Sequence, residues 1–344
     1  MLRYHREGAP AGHAPGPGAT PGMEGGAMAD VSPVVIRPLA EADLVDADRV
    51  FRVAFGTFLG AAEPRQFFGD AEFVRTRWHA DNDAAFAAVR EGRLVGSNFV
   101  ANWGSVGFFG PLTVDPACWN QGIAKLLLEP TVELFDSWGT RHAGLFTFAQ
   151  SARHVGLYQR FGFWPRFLTA VMSRPVGPPA PALSGTRMSD LAGAARPGAL
   201  ASVRELTGAV YPGLDLTREI ESVLNQGLGD VVLIDDLAAL QGVAICHIGA
   251  GTEAGGGNCY VKFGAVRPGQ HAARHFELLL DACYRLAADK GAAGLAAGAN
   301  AGRDKAWTAL VQRGFRTGIQ GVTMHRPNDA GYSHSDSYVI DDWR

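Results

Sequence analysis

Three separated anchors in this 344-residue chain match at one constant offset. Val114 and Pro116 match Val266 and Pro268, and Gly162-Phe163 matches Gly314-Phe315, each 152 residues apart. The order of elements recurs between the anchors. VVIRPL reads as a strand, 41–58 as a helix, and 71–80 as a second helix. AFAAVREGRLVGSNFVANW reads as a hairpin turning at Glu91-Gly92, and VGFFGPLTV as one further strand. Residues 121–138 read as a helix, LFTFAQ as a strand, 151–161 as a helix, and FWPRFLTAVMSRP as a closing strand. The second half repeats this order, ending in a long helix (272–290), GLAAGAN, a helix over 303–313, and TGIQGVTMHRP. A shared offset with a shared element order marks a duplication, so two copies of one α/β unit are expected.

Composition sets the boundaries. Residues 1–31 are Gly, Ala, Pro and polar, and are expected to form a disordered tail, with Met28 as an alternative start. The first unit spans 32–173. RPVGPPAPALSG, residues 174–185, restricts φ and is expected to be an extended linker. The second unit spans 186–328. The tail 329–344, ending YVIDDWR, carries aromatics that suggest docking on another part of the chain.

The charge balance excludes several classes. Lys plus Arg is 31 against Asp plus Glu 34, a net −3, so no basic surface for nucleic acid or an acidic membrane is expected. No run of about 18 uncharged apolar residues is present to span a bilayer. The four cysteines show no C-x-x-C spacing, so neither a disulfide scaffold nor a metal site is expected, and a reducing, cytoplasmic setting fits.

The chemistry-bearing segment is LTVDPACWNQGIAKLLL, residues 112–128. A strand meets a proline, a polar turn follows, and a helix opens at Gly122. The first amides of a helix lack internal partners and sit at the positive end of its dipole. A glycine there lets main chain approach a bulky anion. The N–H groups of Asn120, Gln121, Gly122, Ile123, Ala124 and Lys125 are therefore candidates to cradle a diphosphate, with Lys125 adding charge. In the second segment, SARHVGLYQRFGF, helix spacing puts Ser151, His154 or Val155, and Tyr158 along one face. Gly162 can end that helix in a left-handed conformation.

Together these residues resemble the GNAT superfamily of acyl-CoA-dependent N-acyltransferases, whose pattern runs V-x-P, [QR]-x-x-G-x-[GA], then N-x-x-A-x-x-x-Y-x-x-x-G-F. Val114, Pro116, Gly122, Ala124, Tyr158, Gly162 and Phe163 fit. Trp119 replaces the Gln/Arg, Ser151 the Asn, and His154 the Ala. Pro130 is expected to kink the long helix. The resemblance covers about residues 33–175. It implies a mixed, mostly antiparallel central sheet flanked by helices in each unit, and acetyl-CoA as co-substrate. It implies that Leu112, Thr113 and Val114 on a splayed strand present backbone donors to the thioester carbonyl, and that Tyr158 is the general acid. In the second copy Arg274 stands for Gly122 and Leu310 for Tyr158, so that copy is expected to be degenerate and the first active.

No general base is assigned. Asp115 also suits a turn cap, His154 a surface helix position, and His79 and Glu72 are remote. Tyr158 could instead be a core aromatic. Phe55, Phe58, Phe67, Phe68 and Trp103 suit either core packing or an apolar acceptor site. The resulting expectation is transfer of an acetyl group to an amine of a small molecule or peptide, by a monomer or homodimer. The alternatives are a non-catalytic acyl-CoA-binding sensor or scaffold, and transfer of a longer acyl chain along a phenylalanine-lined channel.

Overall fold

The periodicities read from the sequence appear in a computed structural model that describes residues 32–178, 185–236 and 239–344. The expected tail 1–31 and residues 179–184 of the Pro-rich stretch lie outside these residues. In the first half the strands and helices are β1 Val35–Pro38, α1 Leu44–Phe58, α2 Val74–Ala80, β2 Ala85–Arg90, β3 Arg93–Trp103, β4 Val106–Phe109, β5 Thr113–Val114, α3 Ile123–Ser137, β6 His142–Thr147, α4 Ala152–Gln159 and β7 Trp164–Pro175. In the second half they are β8 Thr186–Arg187, α5 Arg196–Val210, α6 Thr217–Asn225, β9 Gly229–Asp235, β10 Leu240–Gly249, β11 Gly255–Val266, α7 Ala272–Asp289, β12 Gly294–Asn300, α8 Asp304–Gln312, β13 Arg316–Arg326 and β14 Val339–Ile340.

The expected mixed, mostly antiparallel sheet flanked by helices is what forms. A hydrogen-bonded path runs β1-β2-β3-β4-β6-β13-β7-β12-β11-β10-β9-β8, with β5 on β3 and β14 on β11. Two pairs are parallel, β4 with β6 and β11 with β12. Apolar residues of α1 and α2 cover one face of the front strands, and α3 and α4 the other. In the rear half α5 and α6 take one face, and α7 and α8 the other. Each face buries the apolar stripe of its helices, which is the main favourable term available to such elements.

Two differences from the sequence reading matter. VGFFGPLTV is not one strand. It breaks at Gly110-Pro111 into β4 and β5, because proline has no N–H to continue a ladder. In addition, the last strands of the halves exchange neighbours. β13 pairs with β6, β7 pairs with β12, and β7 and β13 pair with each other. Val34–Arg344 accordingly forms one compact unit.

The 152-residue offset persists in the registers. Val106 faces His142 in the front half and Asn258 faces Gly294 in the rear. Ala143 faces Arg326, and its counterpart Leu295 faces Arg174. Pro130 lies within α3, which runs on to Ser137.

Candidate active site

β4 stays beside β6 only from Val106 to Phe108, after which β5 continues on β3 alone. The sheet therefore splays. Asp115 N–H donates to Val95 C=O at 2.8 Å. Alternation along an antiparallel ladder then turns the N–H groups of Leu112 and Val114 away from β3, toward the gap. A cavity of about 260 Å³ fills this gap and is lined by Leu112, Thr113, Val114, Ala124, Ser151 and Tyr158, among others. Six residues singled out from two separate motifs thus share one cavity.

The turn leading into α3 is held by side chains. Asp115 accepts from Ala117 N–H at 3.1 Å and from Arg93 at 3.2 Å, with Arg49 at 3.5 Å. Asp115 is therefore committed to the turn. Trp119 Nε1 donates to Val114 C=O at 2.7 Å. Asn120 (φ 65°) and Gly122 (φ 78°) are both left-handed, and a Cβ added to Gly122 meets nothing within 4 Å. The N–H groups of Asn120, Gln121, Gly122, Ile123 and Ala124 have no partner among the described residues. Ile123 buries its side chain while its amide stays at the helix mouth.

Lys125 differs from this set. Its N–H donates to Gly122 C=O at 3.0 Å, and its exposed ammonium lies 3.8 Å from Glu129. Arg90, which the sequence reading passed over, donates to Gln121 Oε1 at 2.6 Å and brings a cation beside the turn.

On α4, Ser151 is the cap and accepts from His154 N–H at 3.4 Å. Tyr158 is buried edge-on to Phe109, with ring centroids 5.7 Å apart. Its hydroxyl has no hydrogen-bond partner among the described residues, and burial raises its pKa above the ordinary phenol value. It is therefore a protonated donor at neutral pH. His154 packs against Phe58 at 5.0 Å, and burial followed by the neighbouring Arg153 charge lowers its pKa.

Phe55, Phe58 and Phe68 line the cavity, while Phe67 does not. Trp103 lies elsewhere, in the core between the halves, where its Nε1 donates to Glu219 at 3.2 Å. Glu72 accepts from Arg75 N–H at 3.0 Å, and neither it nor His79 reaches the cavity wall. The sequence reading missed Trp343 and Arg344, which the tail brings to the wall. The aromatic run ending the chain was the signal, and only the docked tail gives it a place. Gly144 admits the Trp343 ring, since a Cβ there would overlap the indole.

The rear half repeats the splay but fills it. Gly264 and Ala265 pair with Ile340 and Val339 of β14. Val266 N–H donates to Tyr338 C=O at 3.3 Å, and Arg267 N–H to Gln241 C=O at 2.8 Å, the counterpart of the Asp115–Val95 bond. Leu310, at the place of Tyr158, is fully buried.

No curated protein matches the chain. Three solved structures share the fold. A Pyrococcus horikoshii protein described as a candidate acetyltransferase aligns at 14% identity over 90% of this chain and 95% of that one, with a TM-score of 0.64. A GCN5-related N-acetyltransferase from Sphaerobacter thermophilus aligns at 16% over 85% and 95%, with a TM-score of 0.54. One from Anabaena variabilis aligns at 13% over 87% and 74%, with a TM-score of 0.51. Such identities speak for the fold. Residues 50–163, which contain β5, the α3 mouth and α4, match the acetyltransferase (GNAT) family model.

Proposed function

We propose that this protein transfers an acetyl group from acetyl-CoA to an amine at a single site in the front half, the rear half being a degenerate copy of the same unit. One contrast carries the reading. Val114 N–H faces an open cavity, whereas its counterpart Val266 N–H is satisfied by Tyr338. The amides from Asn120 to Ala124 fit a diphosphate, because they are unpaired at a helix mouth where a Cβ on Gly122 would meet nothing within 4 Å. Acetyl-CoA supplies an activated acyl group as its thioester.

The chain's own groups then divide the work. The N–H groups of Leu112 and Val114 orient the carbonyl and stabilise negative charge on its oxygen, an effect worth about 3–4 kcal/mol in comparable sites. Tyr158 holds a proton for the departing sulfur. Thr113, Ala124 and Ser151 shape the walls. Calorimetric titration of the full chain with CoA tests the reading. One molecule bound per chain is expected, and two equivalent sites, or none, would overturn it.

A further inference from the structure

Residues 110–112 carry the chain from β4 to β5 along the cavity wall, where the sheet gives them little hold. Among the described residues they make two hydrogen bonds: Gly110 N–H donates to Phe99 C=O at 2.8 Å, and Gly110 C=O accepts from Arg77 Nη1 at 2.5 Å. Arg77 comes from α2, and its guanidinium is fixed from the rear half. Nε and Nη2 form a fork on Glu253 at 2.9 and 3.0 Å, and Nη2 also donates to the main-chain oxygen of Arg344. Phe73 and Phe108 flank it, with ring centres 5.5 and 5.8 Å from Cζ.

Glu253 lies in the loop between β10 and β11 and accepts from Lys262 at 3.0 Å. Lys262 also lies 2.8 Å from Glu219, which accepts the Trp103 indole N–H at 3.2 Å. Arg77, Glu253, Lys262 and Glu219 are all buried. Lys262 stands 152 residues after Gly110, and there β11 runs unbroken from Gly255 to Val266. The rear half thus has no break to hold, and its charges bear on the break in the front. A buried ion network is weak grounds for stability, because apolar packing of the same volume does as well. What this one fixes is direction. The fork sets the plane of the guanidinium, and a charged donor makes the bond to Gly110 roughly twice as strong as a neutral one. The Gly110-Pro111 peptide is planar and the proline ring locks φ, so only ψ of Pro111 is free between the Gly110 carbonyl and the Leu112 N–H. Holding the carbonyl therefore aims the amide that faces the cavity.

We propose that Arg77 is a positioning residue for acyl transfer: backed by Glu253 of the rear half, it acts through Gly110 to aim the Leu112 N–H at the thioester carbonyl. This rests on the acyl-transfer reading above, and it gives the rear half a part in the chemistry of the front site.

The test uses the full chain and needs no acceptor. Difference infrared spectra of bound acetyl-CoA, isotope-labelled at the thioester carbonyl carbon, report the hydrogen bonds to that oxygen, because each lowers the stretching frequency. Calorimetry reports CoA affinity, and thermal unfolding reports folding. In the wild type the band is expected below that of acetyl-CoA in buffer. Arg77→Lys keeps a charge for Glu253, but a single ammonium replaces the fork and cannot also hold Gly110. It is expected to lose at least about half of the downshift, with CoA affinity within about twofold of wild type. Glu253→Gln loosens the fork and is expected to move the band the same way. Glu219→Gln breaks the far end of the network and is expected to lower the unfolding temperature without moving the band.

An unchanged band in folded Arg77→Lys, or an equal move in Glu219→Gln, overturns the proposal and leaves the CoA site standing. Should only one of Arg77→Lys and Glu253→Gln fold, its band decides. Failure of both to fold overturns the proposal too, because the network then holds the fold and not the strand. A wild-type chain that binds no CoA, or binds acetyl-CoA with no downshift, would instead remove the acyl-transfer reading itself.

Discussion

Val266 donates its backbone N–H to the carbonyl of Tyr338 at 3.3 Å, and so the tail closes in the rear half the gap that stays open beside Val114 in the front. A main-chain donor can serve a ligand only if the fold leaves it unpaired, because buried donors are otherwise satisfied. The same segment goes on to place Trp343 and Arg344 in the front cavity, so the two halves are linked through one stretch of chain.

Substitution at the helix mouth distinguishes the two halves. Gly122→Asp places a carboxylate in front of unpaired amides and forces a side chain onto a φ of 78°. It is expected to weaken CoA binding by at least about a hundredfold through anion repulsion and lost approach. Arg274→Asp at the rear counterpart is expected to leave affinity within about twofold. Calorimetry on both variants checks this, and equal losses would refute a single site.

Tyr158→Phe is expected to lower kcat by about 10²–10³ while CoA affinity stays near wild type. Burial raises the phenol pKa, so the proton is retained well above neutral pH. No loss of rate from ionisation of Tyr158 is therefore expected on moving from pH 7 to pH 9. Steady-state kinetics with a separate CoA titration decide it. Unchanged turnover, with chemistry rate-limiting, removes Tyr158 from the acid role.

Buried histidines set the acid limit of stability. Burial, then the Lys262 charge, lowers His247 from 6.5 to about 4, and burial, then His142, lowers His325 from 6.5 to about 3. Both groups bind protons more readily unfolded than folded. Their contribution is whole above pH 6.5 and is lost as pH falls toward 4 and 3, on the order of 3 kcal/mol from His247 alone. Burial opposes ionisation of Glu253, but Arg77 and Lys262 outweigh it and hold the carboxyl well below its usual range, which adds a loss below pH 4.5. Thermal unfolding between pH 7 and 4 should show the decline, and His247→Gln should flatten it.

Gly144 and Trp343 are coupled by contact. Gly144→Val drives a side chain into the indole and is expected to cost about 1–3 kcal/mol, while Trp343→Ala costs about 3–5 kcal/mol by leaving a void. The double variant should cost less than the sum, since removing the ring removes the clash. Denaturant unfolding of all four proteins measures the coupling, and strict additivity would contradict the docked position of the tail.

The 152-residue offset, the alternation in β2 and β3, and the turn residues Glu91-Gly92 are local properties, so element order and the helix mouth at Gly122 were legible from residue types alone. Hydrophobic period and backbone preference act over a few residues and do not depend on what lies across the sheet. Tertiary structure decided the rest. It broke VGFFGPLTV at Gly110-Pro111, exchanged β7 and β13 between the halves, sent Trp103 into the core between them, and brought Trp343 and Arg344 to a cavity more than 200 residues away in sequence from β5. Which of two equivalent splays stays open depends on where a distant strand finds unpaired donors. No local pattern in Val114 or Val266 records that choice, because it is made by hydrogen bonds that exist only once the tail has docked.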